Sequence, residues 1–124
     1  MVEPTKSLWP NILDDSKVSL IKIFIRIICD SFHQRGFPQY RLALEILNDE
    51  QNKPLLIRAL KELIKYEFQK LIDSEEDSES IEVKDWAWKW TERSFRDLLN
   101  EIPSLKDLFE DEKKVLLHAE KDTN

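Results

Sequence analysis

The sequence predicts an all-α protein, a single small bundle of about five helices, from three observations. The 124-residue chain has one glycine, Gly36, whereas a β-rich domain of this length needs several glycines for its turns. Apolar residues recur at helical spacing in successive segments, and prolines and capping residues separate those segments. We expect an amino-terminal arm over residues 1–13, the helical bundle over 14–121 and a tail over 122–124.

Helix 1 is predicted over about residues 16–35, at the centre of the bundle. Its polar residues are three or four positions apart and occupy an arc of only about 80°, while almost everything between them is apolar. These polar residues are Ser19, Lys22, Arg26, Asp30 and His33. A helix of this kind has neighbours on nearly every side, from its own bundle or from another chain. The β-branched residues of 20–28 also fit a buried strand, so that alternative stays open.

Prolines and capping residues predict the next two helices. Pro38 can open helix 2, which covers residues 38–48. Asn52 can cap helix 3, which we expect over 53–72 with one apolar face. Both helices are therefore of ordinary length for a small bundle.

Glu67 is an unusual residue of helix 3, because it falls among the leucines and isoleucines of the apolar face. A buried carboxylate requires a partner. Lys22 or Arg26 of helix 1 could supply one, so we interpret Glu67 as half of a structural ion pair.

An acidic linker separates helices 3 and 4. Residues 73–82 read DSEEDSESIE, and we interpret this run of like charges first as a solvated segment. Helix 4 is predicted over about 83–101, where Pro103 ends it, since proline cannot donate a hydrogen bond inside a helix. Helix 5 follows over about 104–120.

Three tryptophans alternate along helix 4, and a helix cannot place three alternate residues on one face. On a helical wheel Trp88 aligns with the core positions, while Trp86 and Trp90 point nearly the opposite way, beside Arg93. Exposed aromatic residues next to arginine are typical of interface anchors. The alternative is that the amino-terminal arm folds back and covers the pair with Trp9. A strand over this segment would instead place all three tryptophans on one face.

Charge and cysteine content narrow the class of protein. The formal net charge is −6, which disfavours binding to nucleic-acid backbones. The apolar run 18–29 is twelve residues long and contains Lys22 and Arg26, whereas a membrane span needs about 20 apolar residues. The single cysteine, Cys29, lies in that run and is expected to be a reduced thiol. We expect a cytoplasmic protein that does not enter a membrane.

Residues suited to metal binding or catalysis are few. The only histidines are His33 and His118, and no group of histidine, cysteine and carboxylate residues has the spacing of a metal site. The acidic run superficially resembles a calcium loop, but Ser78 replaces the required glycine and Lys84 replaces the final carboxylate. We therefore predict no metal and no cofactor.

Arg26 and His33 form the one pair that suggests chemistry. Their spacing resembles the Arg-x4-6-His motif of HEPN ribonucleases, a helical family. The resemblance implies that the pair faces a partner subunit across a dimer cleft and cleaves RNA. It covers eight residues, and Ile27 stands where the family usually has a polar residue. The other interpretation is that both residues belong to the solvated or salt-bridged rim of helix 1.

Three functions follow from these patterns. The favoured one is a non-enzymatic interaction module, an assembly subunit, adaptor or small regulator that binds a partner protein or a second copy of itself. Its site would be formed by helix 1 and by Trp86, Trp90, Arg93 and Trp9. The alternative is an acidic inhibitor that mimics nucleic acid through residues 73–82. The third is a HEPN-like ribonuclease.

Overall fold

The computed structural model describes residues 14–30, 38–77 and 79–118, and these ranges are helical with no strand. The all-α prediction is confirmed, and the two strand alternatives, over 20–28 and over the tryptophan segment, are excluded. The α-helices are α1 (Asp14–Asp30), α2 (Pro38–Asn48), α3 (Lys53–Asp73), α4 (Ile81–Ser94), α5 (Arg96–Glu101) and α6 (Lys106–His118). Short 3-10 helices at Glu50–Asn52 and Pro103–Leu105 lead into α3 and α6.

Helices α1 and α3 pack against each other and organise the bundle. Helix α1 contacts α2, α3 and α5, while α3 contacts α1, α2, α4 and α6. The buried face of α1 repeats at spacings of three and four and consists of Val18, Ile21, Ile25 and Ile28. On the opposite side Ile23 is 53% exposed. Phe24, Ile27 and Cys29 are half-buried against the same core, so within the described ranges only a narrow strip of α1 is exposed, and Ile23 lies in it.

The start of α3 differs from the predicted cap. The Asn52 side chain makes no capping hydrogen bond, and its amide instead donates to the Ile46 carbonyl at 3.0 Å. Asn52 is buried, so it ties the end of α2 to the turn that precedes α3. Pro54 lies in the first turn of α3, where its fixed φ angle suits a helix start.

The segment predicted as one helix over 83–101 is two helices in the structure. Helix α4 begins earlier, at Ile81, because the Ser80 hydroxyl accepts hydrogen bonds from the N–H groups of Glu82 and Val83, at 3.1 and 3.4 Å. The linker is correspondingly shorter than predicted. The helix ends at Ser94, and Phe95 (φ −108°, ψ 15°) redirects the chain. Phe95 is fully buried, so core packing in place of a proline or glycine sets this break.

An aromatic cluster joins α3, α4 and α6. The Trp88 ring centroid lies 6.4 Å from that of Phe68 and 6.2 Å from that of Phe109. Phe95 and Phe109 are closer still, with centroids 5.5 Å apart. Tilted rings at these separations are the favourable arrangement for aromatic pairs. The prediction that Trp88 faces the core is thus confirmed.

None of the helices in the described ranges combines the length and the apolar composition that crossing a bilayer requires. Three predicted features lie outside the described residues: the amino-terminal arm with Trp9, the end of helix 1 with His33 and Gly36, and the tail.

Candidate functional site

The outer face of α4 carries two tryptophans that the described residues leave open to solvent. Trp86 is 37% exposed and Trp90 is 46% exposed, one helical turn further along. Trp88, between them in sequence, is 4% exposed. The helical wheel therefore predicted all three orientations correctly, since a helix turns alternate residues to different sides. We call Trp86, Trp90 and Arg93 the tryptophan face.

Arg93 is part of this face through a contact with Trp90. Its guanidinium carbon Cζ lies 5.1 Å from the centroid of the Trp90 ring, within the range of a cation–π interaction. The Ser94 hydroxyl donates to the Trp90 carbonyl at 3.0 Å, which satisfies one carbonyl of the last turn. The stacked arginine and indole form a flat surface with a charged edge.

The opposite side of α4 anchors this face to the core. Ala87, Trp88 and Thr91 are buried against the bundle, and the Thr91 hydroxyl donates to the Ala87 carbonyl at 2.8 Å. A helix held along its inner side presents its outer side chains from a rigid backbone. The backbone that carries the tryptophan face is therefore held in place by the core.

At the amino-terminal end of α4 the tryptophan face meets acidic residues. A shallow groove of about 320 Å³ is lined by Glu75, Glu82, Val83 and Trp86. The neighbouring carboxylates of 73–79 that the structure describes are all exposed. This acidic end lies beside Trp86. The inhibitor function predicted for the same residues stays a prediction.

At the other end of α4 the face borders a cleft of about 360 Å³, the arginine cleft. Three helices contribute to its lining, which consists of Arg26, Cys29 and Asp30 from α1, Arg93 and Ser94 from α4, and Arg96 and Asp97 from α5. Three guanidinium groups and two carboxylates therefore share this small volume. Helix α5 begins after the break at Phe95 and contacts α1, and both helices line the cleft.

Arg26, on the wall of the cleft, forms the ion pair that the sequence predicted for Glu67. Its Nη2 lies 2.7 Å from Oε2 of Glu67, whose side chain is 11% exposed. This hydrogen bond raises the pKa of Arg26 against the opposing effect of its partial burial. Lys70 approaches the other Glu67 oxygen at 3.6 Å. Lys22, the other predicted partner, pairs instead with Glu62.

The structure does not test the ribonuclease hypothesis, because His33 lies outside the described residues and its distance from Arg26 is not defined. Arg26 faces the cleft but is engaged with Glu67. The nearby Cys29 is not an activated nucleophile. Burial is the main cause that raises its pKa to about 12, with the Asp30 charge second, so the thiol stays protonated at neutral pH.

Among the described residues, no three histidine, cysteine or carboxylate side chains lie close enough together to hold a metal ion. His118 is exposed at the end of α6. In the described part of the chain the tryptophan face lies between an acidic groove and a cleft lined by both arginines and carboxylates.

The sequence predicted Trp86, Trp90 and Arg93 on the outer face of α4, where the structure exposes them, but it gave no sign of the arginine cleft. Arg96 and Asp97 gave no signal, because their neighbourhood depends on a helix break that core packing creates. No protein-family model, no curated protein and no solved structure matches the chain.

Proposed function

We propose that this protein is a non-enzymatic protein–protein interaction module, an assembly subunit, adaptor or small regulator, whose binding site is the tryptophan face of α4. The observation that carries the proposal is the exposure of Trp86 and Trp90 on one turn of a helix whose other side is locked into the core. Arg93 extends the same surface by stacking on Trp90.

The residue types fit binding. Tryptophan and arginine are the side chains most enriched among residues that dominate interface energies. An indole offers a large contact area with two rotatable bonds, so little entropy is lost when it is held. Single exposed apolar residues are ordinary on protein surfaces, but adjacent exposed tryptophans form a continuous patch.

The decisive variant is the double substitution Trp86→Ala and Trp90→Ala in the full chain. We expect it to weaken association, with a partner protein or with a second copy, by at least about 2 kcal/mol, because two anchors are removed together. The helical circular dichroism spectrum should be retained. Sedimentation velocity, with purified chain alone and with labelled chain in native extract, measures the association.

Matched controls come from exposed apolar residues elsewhere on the bundle. Tyr66→Ala on α3 and Leu42→Ala on α2 remove comparably exposed side chains and should leave association unchanged. The proposal is wrong if the double tryptophan variant unfolds as readily as Trp88→Ala and association does not change. Coverage by the amino-terminal arm, with Trp9 on the pair, would then be the explanation.

A further inference from the structure

We propose that the tryptophan face binds a second copy of this chain, with the two α4 helices packed antiparallel about a two-fold axis at the level of Trp88. The inference rests on the proposed function and specifies the partner. Trp86 of each copy would contact Trp90 of the other, and Glu82 of each copy would pair with Arg93 of the other.

The positions along α4 are symmetric about that axis. At about 1.5 Å per residue, Glu82 lies about 9 Å before the level of Trp88 and Arg93 lies about 7.5 Å after it. In an antiparallel pair, Glu82 of one copy and Arg93 of the other therefore lie at the same level along the helices to within about 1.5 Å. Trp86 and Trp90 are equally far from the axis along the helix, so Trp86 of one copy lies opposite Trp90 of the other.

Glu82 and Arg93 also lie on the same edge of the helix. They are eleven residues apart, which at about 100° per residue leaves an angular difference of only about 20°. A two-fold axis perpendicular to both helices keeps each edge facing the same edge of the other copy. The carboxylate and the guanidinium therefore meet across the interface, beside the paired tryptophans.

The larger distribution of charge selects the same orientation. Beyond Glu82 lies the acidic end with Glu75, and beyond Arg93 lies the arginine cleft with Arg96. The cleft also holds two carboxylates, and its Arg26 is paired with Glu67, so antiparallel packing brings each acidic end against Arg93 and Arg96 in particular, twice per dimer. Parallel packing would place like charges together at both ends, which costs free energy. A surface complementary to itself suits an isologous, closed dimer.

The size of the surface sets the strength of the dimer. Helix α4 has 14 residues, so the helix pair is only about 21 Å long. Stable complexes bury about 800 Å² on each partner, which one short helix reaches only with help from the charged ends. We therefore expect a dimer that dissociates readily on dilution and weakens as salt screens those ends.

The test exchanges charges across the proposed axis. Glu82→Arg and Arg93→Glu are made separately in the full chain, and sedimentation equilibrium measures self-association of each variant and of their equimolar mixture. Each variant alone faces like charges and should associate at least about tenfold more weakly than the natural chain. The mixture should regain association, because each contact then joins opposite charges.

The mixture keeps the test valid even though Glu82 accepts a hydrogen bond from Ser80 at the start of α4. Any damage to folding would persist in the mixture, so regained association can come only from pairing between chains. Glu110→Arg and Lys114→Glu, exposed residues of α6, are the matched controls and should behave like the natural chain.

Other outcomes overturn the inference in distinguishable ways. If both variants are weakened and the mixture is not restored, the antiparallel arrangement is wrong. If the natural chain is monomeric at every concentration, the second copy is excluded, but the proposed function stands when the double tryptophan variant still loses a different protein partner. If that variant loses no association of any kind, the proposed function fails as well.

Discussion

At the scale of single residues, Arg26 is the side chain whose role the structure changes most. The sequence offered it both as a possible catalytic group and as a partner for Glu67. The structure shows the second contact, at 2.7 Å to a carboxylate that is nearly enclosed. Removing either partner would leave the other charge partly desolvated and unpaired, which is the costly way to break an ion pair.

Glu67→Gln should therefore destabilise the protein, whereas the exposed pair of Lys22 with Glu62 should contribute little. The Arg26 side chain is 39% exposed, so solvent screens part of the loss. We expect a decrease of about 1–2 kcal/mol in the free energy of unfolding for Glu67→Gln and less than about 0.5 kcal/mol for Lys22→Gln. Urea unfolding followed by circular dichroism measures both. Equal losses of unfolding free energy in the two variants would show that the buried position of Glu67 adds no stability to its ion pair.

Cys29 provides a prediction about pH. Its pKa in the folded protein is about 12, against 9.0 for an unperturbed thiol, so the folded thiolate is about a thousandfold scarcer near pH 8. Alkylation by iodoacetamide at pH 8 should be at least about a hundredfold slower in the folded chain than in urea. Because folding raises the pKa, Cys29 favours the native state fully below about pH 9, and this contribution is lost as the pH rises toward 12. Rapid labelling of the folded chain would contradict the assignment.

At the scale of helices, α1 separates side chains of one type into different environments. Ile25 and Ile28 are fully buried, while Ile23 is mostly exposed on the same helix. Ile25→Ala or Ile28→Ala should each cost about 2–5 kcal/mol, through lost burial and the cavity left behind. Ile23→Ala, the matched control, should change stability by less than about 0.5 kcal/mol. Thermal or urea unfolding measures the difference, and similar losses at all three positions would mean that Ile23 is covered.

Much of this could be predicted from local pattern. Helical periodicity was sufficient for the fold class and for the separation of Trp88 from Trp86 and Trp90, because both depend only on neighbouring positions. The Glu67 ion pair was predictable because a carboxylate on an apolar face needs a partner. The break at Phe95 was not, since a buried phenylalanine ends the helix there through tertiary packing. The arginine cleft depends on that break and was missed with it.

At the scale of the whole molecule, opposite charges lie at the two ends of one helix. Helix α4 contributes Glu82 to the acidic groove and Arg93 to the arginine cleft, with Trp86 and Trp90 between them. A net charge of −6 hides this separation, because the arginines of the cleft come from α1, α4 and α5. The protein is thus acidic overall, yet Arg93 and Arg96 are both exposed at the carboxyl-terminal end of α4 and beyond it.

The stability of the whole molecule should depend on its own concentration if the tryptophan face binds a second copy. Binding that occurs only in the native state stabilises that state by mass action. We expect the Tm of the natural chain, measured by circular dichroism over a thousandfold range of concentration, to rise by several degrees.

The Trp86→Ala and Trp90→Ala double variant should melt at one temperature throughout, equal to that of the dilute natural chain. Trp88→Ala should lose about 3–5 kcal/mol of unfolding free energy through lost core packing, and so melt far lower at every concentration. Its Tm should still rise with concentration. A constant Tm for the natural chain would place the binding partner outside this sequence, whereas a double variant that melts below the dilute natural chain would place both tryptophans in the core.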